Sequence, residues 1–301
     1  MSMAPPVHLI GAAGRMGAAL CHVLRERGET VVPVVRHPDR LPPDLREQAR
    51  QADLENADTL MAALADAQHV VSTAHARFIP AILTASPDNS CLVAIGSTRK
   101  FTRWPDWHGD GVLAGERALM ESGRPSMILH PTMIYGPQGE NNVQRLVALL
   151  RYLPLVPLPS GGRSLIQPIY QDDVIRSIVT ALDLARSGHL NTPEALVIAG
   201  PEPMTYRALV EAILAAAGLG TRLFLPVPAA ILEFLVPLAK KLPGFPSIER
   251  AEVRRLLEDK AFSIQPMQDR LGFTPLPLKD GLAHLFRQPT EASPLPAGIR
   301  P

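Results

Sequence analysis

The chain has 301 residues, a net charge of +1 and 31 prolines spread along it. That length holds one large α/β unit or two smaller domains and can bury a substantial core, while the balanced charge excludes a strong general pull toward nucleic acid or an anionic membrane. The two cysteines, Cys21 and Cys91, fall in apolar runs and read as small buried hydrophobes, not as a disulfide or a metal site.

Residues 1–6 lack the apolar core of a secretory signal. The apolar run 223–242 is broken by Pro226, Pro228 and Pro237 and carries Glu233, Lys240 and Lys241, which makes it a poor membrane span. A cytoplasmic protein with no membrane span and no nucleic-acid partner is expected, its oligomeric state left open.

Val7–Ile10 is an apolar run that enters a glycine turn, Gly11-Ala12-Ala13-Gly14-Arg15-Met16-Gly17. An amphipathic pattern follows, with Met16, Leu20, Val23 and Leu24 on one face. This reads as strand, tight turn and helix. Glycines let the backbone approach a phosphate closely, and the helix beyond them offers free N–H groups and the positive end of its dipole to an anion. The spacing is Gly-x-x-Gly-x-x-Gly and not the commoner Gly-x-Gly-x-x-Gly. Gly11, Gly14, Arg15, Met16 and Gly17 are therefore candidate cofactor-binding residues.

Residues 30–35 form the next β-rich run, where Pro33 implies an edge-like or bulged position. Further strands are expected at 51–54, 69–73, 91–95 and 127–129, with helices at 58–64, 78–85 and 112–121. Alternation at such short intervals means βαβ units and a doubly wound parallel sheet covered on both faces. Ligands of such sheets bind at the carboxyl ends of the strands. Arg36, Asp53, Thr73, Ala74, His75, Ser97, Thr98, Pro131 and Tyr135 all fall there.

Beyond residue 136 helices predominate, at 143–152, 174–185, 205–217, 228–241 and 249–257, with short strands at 165–169, 195–198 and 222–225. The expected division is a dinucleotide-binding core over 1–136, a mixed part over 137–286 and a proline-rich tail over 287–301. The mixed part supplies a smaller, mainly helical substrate-side subdomain and returns some elements to the sheet.

Arg36 ends the second strand, where a carboxylate suits NAD and a cation suits the 2′-phosphate of NADP. NADP is the expected cofactor in preference to NAD, with Arg15 flanking the same phosphate; the alternative is two exposed arginines. Asp53 either accepts from the adenine amino group or serves a turn. Ser97 and Thr98 either hydrogen-bond a substrate carbonyl or satisfy local backbone. His108 titrates near physiological pH and suits a proton donor; in a loop with Trp104, Pro105, Trp107 and Gly109 it also reads as an exposed structural residue. Lys100, near the end of the fifth strand, reads as an exposed loop lysine in preference to one that approaches the cofactor or an anionic substrate. The loop 99–108 sets both tryptophans beside Arg99, Lys100 and Arg103, which suits an anionic, partly apolar small-molecule substrate or a self-packed surface loop.

With these motifs in order, the chain resembles the extended and atypical branches of the short-chain dehydrogenase/reductase superfamily, including NAD(P)-dependent epimerase/dehydratase-like and NmrA-like members. The residues that carry the resemblance are the glycine turn, Ala52-Asp53-Leu54, Gly96-Ser97-Thr98, His130-Pro131-Thr132-Met133-Ile134-Tyr135-Gly136-Pro137, and the segment 167–174 ending in Asp-Asp-Val. The resemblance implies a Rossmann-type fold, an adenine contact at Asp53 and Leu54, and cofactor contacts at Thr73, Ala74, His75 and Pro131. It also implies catalytic groups among Ser97, Thr98, His108 and Tyr135, with packing the alternative role for Tyr135. One departure stands out: the Tyr-x-x-x-Lys signature, whose Tyr moves the proton and whose Lys holds the nicotinamide ribose, is absent from the chain. Registering Glu116 on the acidic residue that often follows it puts His108 where Tyr belongs and Val112 where Lys belongs. Two readings follow. One is an oxidoreductase or epimerase-like enzyme acting on a carbonyl or hydroxyl of a small or sugar-like substrate. The other is a non-catalytic NADP(H)-binding regulatory or structural protein.

Overall fold

The computed structural model describes residues 5–137, 141–239 and 250–286. The proline-rich tail and the outer ends of the helices expected at 228–241 and 249–257 lie outside the described residues. The first half runs β1 (Val7–Ile10), α1 (Arg15–Glu26), β2 (Val31–Val35), α2 (Pro43–Arg46), β3 (Arg50–Gln51), α3 (Ala57–Leu64) and β4 (His69–Ser72). It continues with α4 (Ile79–Ala85), β5 (Cys91–Ile95), α5 (Trp107–Glu121) and β6 (Ser126–Pro131). The second half contains β7 (Ile134–Tyr135), α6 (Asn141–Tyr152), β8 (Leu155–Pro159), β9 (Leu165–Ile166), β10 (Ile169–Tyr170), α7 (Gln171–Arg186) and β11 (Glu194–Ile198). After these come β12 (Met204–Thr205), α8 (Tyr206–Ala216), β13 (Leu223–Val227), α9 (Ala229–Ala239), α10 (Arg250–Arg255), α11 (Gln265–Leu271) and α12 (Leu278–Phe286).

Seven strands form one parallel sheet in the order β11-β6-β5-β4-β1-β2-β3. Its strands are near-continuous apolar runs because both faces are covered. Successive residues serve opposite faces. Leu9 joins Leu20, Leu24, Leu129 and Ile178 under α1 and α7, whereas Ile10 joins Leu60, Ile79, Ile82 and Ile128 under α3, α4 and α5. A third core, containing Val147, Leu150, Leu158, Leu209 and Ile213, holds the smaller, mainly helical C-terminal part together. Cys21 and Cys91 are buried free thiols, each pushed up to about 11, chiefly by burial.

Pro33 is accommodated without a bulge. Gly11 N–H donates to the Val34 carbonyl, so Val34 faces β1 and its neighbour Pro33 faces the β3 side. There the two-residue β3 pairs only with Val34 and Val35, and no ladder bond is asked of the proline nitrogen. The sheet places the ends of β1, β2, β4, β5 and β6 along one edge. Among the described residues, no helix is long and apolar enough to cross a membrane.

Candidate functional site

The β1–α1 turn has the geometry of a phosphate cradle. Gly11 sits at φ +83°, and a Cβ there would meet Thr73 Oγ1 at 2.6 Å. A Cβ on Gly17 would fall 2.2 Å from the Gly11 carbonyl oxygen, so the helix can enter this close only through glycine. Gly14 is the N-cap at φ −78°, an ordinary extended conformation, and its N–H donates to the Gly11 carbonyl at 2.9 Å. Arg15, Met16 and Gly17 form the first turn of α1, which has no side-chain cap and no acidic residue. Its leading N–H groups and positive dipole end therefore suit an anion, and the residues present fit a dinucleotide pyrophosphate.

Arg36 and Asp53 meet beyond β2. The Arg36 guanidinium lies 4.0 Å from Asp53 Oδ2. Asp53 Oδ1 accepts from the Glu55 N–H at 3.0 Å, so the carboxylate also shapes its own turn. Leu54 is partly buried against the core beneath α3.

At the end of β4, the Thr73 hydroxyl donates to the Ile10 carbonyl at 3.1 Å and ties the strand to the glycine turn. Ala74 packs on the core. His75 reaches α5: its Nε2 lies 2.8 Å from His108 Nδ1, while its Nδ1 accepts from the Arg77 N–H at 3.0 Å. An Nδ1 that accepts is unprotonated, so neutral His75 carries its proton on Nε2 and donates it to His108. Neutral His108 in turn carries its proton on Nε2. Both rings are held neutral. Burial, then the fields of His108 and Arg77, pull His75 down to about 4; burial and Arg99 lower His108. Trp107 stacks on His75 with ring centroids 5.6 Å apart.

Ser97, at the end of β5, is tied to His108 through a chain of contacts. Its Oγ accepts from the Arg99 N–H at 3.1 Å, Arg99 Nε donates to Asp106 Oδ2 at 2.9 Å, and Asp106 Oδ1 accepts from the His108 N–H at 3.1 Å. Asp106 is the N-cap of α5. Thr98 is buried, and its hydroxyl donates to the Pro131 carbonyl at 3.1 Å, so both are engaged in holding β5 to β6. Tyr135 is placed elsewhere. It is fully buried, its ring packs on Tyr170, and its hydroxyl lies against Gly281 of α12 without a hydrogen-bond partner. Burial and Asp173 raise its pKa, which makes it a poor acid in that position.

Lys100 is not an exposed loop lysine: its side chain is 9% exposed and pairs with Glu116. Glu116 also lies 2.9 Å from Nε2 of the buried His130, whose Nδ1 accepts from the Ser97 N–H at 3.1 Å. This trio braces the β5 end from behind. Its members are sixteen and fourteen residues apart in sequence, with no local signal of their meeting.

In front of Ser97, Thr98 and Arg99 opens a cavity of about 570 Å³, bounded by α6, β8, α8 and α10. Lys260 lines it, 3.8 Å from Glu258 Oε2, with its pKa lowered by burial against the raising field of Glu258. The buried Glu258 accepts from the Thr102 hydroxyl at 2.8 Å and from the Arg103 N–H, which fastens the tryptophan-bearing loop to this rim. Arg255 and Lys260 were not among the sequence candidates; only the folded chain brings residues this late to Ser97.

A family model described as NAD(P)H-binding matches residues 11–99. A 2-alkyl-3-oxoalkanoate reductase from Stenotrophomonas maltophilia (strain K279a) is 27% identical over 183 residues, which cover 58% of this chain and 54% of that protein. The match thus spans about half the length of that relative. MoeE5, solved with UDP-glucose and NAD, is similar with a TM-score of 0.69 at 18% identity, covering 94% of this chain and 97% of that one. The UDP-glucuronic acid 4-epimerase of Bacillus cereus, solved with UDP-glucuronic acid and NAD, gives 0.66 at 17% identity over 94% and 98%. UDP-glucose 4-epimerase of Thermotoga maritima, solved with UDP-glucose, gives 0.70 at 14% identity over 94% and 97%.

These neighbours overturn the expectation of NADP, since the dinucleotide they hold is NAD. The physical reason lies at Arg36. Its charge is faced by the Asp53 carboxylate, so a 2′-phosphate would meet a negative group together with the positive one. In fold, the chain is similar to these nucleotide-sugar enzymes, with a Rossmann-type parallel sheet and a smaller C-terminal part.

Proposed function

We propose that the protein is an NAD-dependent oxidoreductase that exchanges a hydride with a carbonyl or hydroxyl carbon held beside Ser97 at the mouth of the cavity. The observation that carries this reading is the His75–His108 hydrogen bond, which joins the end of β4 to the first turn of α5. Bound NADH would supply the hydride in the reducing direction, and bound NAD would accept it in the oxidising one. Gly11, Gly14 and the first turn of α1 would hold its pyrophosphate, and Asp53 and Leu54 would face its adenine half. His75 would fix the His108 tautomer so that His108 Nε2–H points its proton at a substrate oxygen. A neutral imidazole can polarise a carbonyl by donating a hydrogen bond to it, and its acidity is helped by a helix N-terminus, where His108 sits. Ser97 would donate a second bond to the same oxygen. In the reducing direction the new alcohol would take its proton from His108, with water replacing it.

The similar proteins are named as a reductase and as epimerases, names compatible with hydride exchange at a carbon bearing oxygen. A second reading has its own observation. Val112, where the ribose-holding lysine would stand, is 1% exposed and apolar, and the ammonium of Lys100 is committed to Glu116. A protein that binds NAD without turning it over would need no such lysine. A substrate screen that follows NADH absorbance separates the two. In the enzyme, His108→Ala lowers kcat by about 10²–10⁴-fold with NAD affinity retained. NADH that binds and is never consumed favours the second reading.

A further inference from the structure

Of the large apolar side chains exposed on the described residues, half fall in two short stretches: Tyr152 and Leu155, then Leu223, Leu225, Ile231 and Phe234. The fold explains the gathering. β8 and β13 form a two-stranded parallel ribbon in which Leu155 stands beside Leu223 and Pro157 beside Leu225. Alternation sends Val156, Leu158 and Phe224 to the third core and the residues between them to the outer face. That face is open: Leu155 is 48%, Leu223 73% and Leu225 52% exposed. α9 follows β13 after Pro228 alone, with Ile231 and Phe234 exposed one turn apart. Single exposed leucines are ordinary, but several on one face mark an interaction surface.

The charge around this face selects what covers it. Residues 141–171 and 212–232 contain four arginines and no aspartate or glutamate. Arg151 and Arg222 flank the leading end of the ribbon and Arg163 follows its trailing end. Among the described residues, none of these three has an ion-pair partner. Glu233, the next acid after Arg222, is paired with Arg254. The net charge of +1 gives the chain as a whole no such pull, so the attraction is local to this face. A twofold-related copy would bring the same arginines onto a face with no carboxylate to meet them. A strand added at an edge of the ribbon would meet Pro157, Pro159 and Pro226, which lack the N–H it needs. An anionic bilayer answers both features, with hydrocarbon for the leucines, phosphate for the arginines and a polar boundary for Tyr152.

We propose that the outer face of β8 and β13, with the exposed side of α9, docks on an anionic lipid surface. Its leucines would enter the boundary between headgroups and acyl chains, and Arg151, Arg163 and Arg222 would meet lipid phosphates. Docking of this kind is peripheral and needs no spanning helix. It is independent of the hydride-exchange reading, since no residue of this face belongs to the glycine turn or to the strand ends that would hold the dinucleotide.

The test is co-sedimentation of the full chain with vesicles of phosphatidylglycerol and phosphatidylcholine in equal parts, against vesicles of phosphatidylcholine alone. The chain should pellet with the first and far less with the second, and added salt should release it. Leu223→Ser combined with Leu225→Ser should weaken pelleting by about tenfold or more. Met61→Ser, at an exposed apolar position on α3, should leave it unchanged. Arg151→Gln and Arg222→Gln should each weaken it about fivefold. All these positions are at the surface, and circular dichroism should show every variant folded. No pelleting of the wild type, equal pelleting with both vesicles, or full pelleting of the double leucine variant would overturn the proposal. So would a dimer in analytical ultracentrifugation that the double leucine variant dissolves, because a second copy would then cover the face. A chain that binds NAD but no vesicles loses only this proposal, and one that pellets as described but never binds NAD keeps it.

Discussion

His75 Nε2 stands 2.8 Å from His108 Nδ1, and the Arg77 N–H on the far side of the His75 ring fixes which nitrogen carries the proton. Two residues 33 positions apart thereby set one tautomer at the edge of the sheet. His75→Ala should therefore impair catalysis through His108 and not through cofactor binding. The expected result is a lower kcat with an unchanged NAD dissociation constant. His75→Gln, whose amide can accept from Arg77 N–H, should recover more activity than His75→Ala.

Asp106 holds His108 in place as the N-cap of α5, accepting from the N–H groups of His108 and Gly109 at 3.1 and 2.8 Å. Asp106→Ala should cost about 0.5–2 kcal/mol of stability in urea unfolding. Asp106→Asn keeps the cap but loses the ion pair with Arg99, so it should recover most of that stability.

Stability should fall as the pH is lowered from about 6.5 toward about 4. His75 and His130 are each pulled down to about 4, burial being the first cause in both, and His8, His69 and His108 shift the same way. Unfolded imidazoles take up protons near 6.5. Between the two values the unfolded chain binds more protons than the folded one, so acidification favours unfolding. Melting temperatures measured across this range should show the decline, and it should be shallower in His130→Asn. An equal slope in the variant would remove His130 from the account.

NAD should bind more tightly than NADP, because the Asp53 carboxylate faces Arg36 at 4.0 Å. Asp53→Asn removes the negative group and leaves the positive one, so it should narrow the preference. Competitive titration of the two dinucleotides measures it, and a wild type that prefers NADP would contradict this assignment.

Where a structural feature is local, the sequence carried it. The apolar run of β1, the glycines after it and the amphipathic face of α1 lie within twenty residues, and the parallel sheet follows from repeats of that pattern. Features made by distant residues were illegible. Arg36 read as an unopposed cation because Asp53 joins it only when β2 and β3 pair. Lys100 read as exposed because Glu116 meets it only when α5 packs. Positive φ belongs to Gly11 and not to Gly14, since it is Gly11 that turns the chain past Thr73. Tyr135 follows β6 as expected, but α12, absent from the expected elements, covers it. The cavity is assembled from segments as far apart as Ser97 and Lys260.

Calorimetric titration of NAD into the wild type and Gly11→Ala asks whether the Gly11 turn holds a dinucleotide. At Gly11 the backbone is at φ +83° and an added Cβ would press on Thr73 Oγ1 at 2.6 Å, so the variant must distort the turn. The wild type should bind one NAD per chain saturably and Gly11→Ala none, with circular dichroism showing both folded. NAD binding of equal strength in a folded Gly11→Ala protein, or no binding in the wild type, would contradict it.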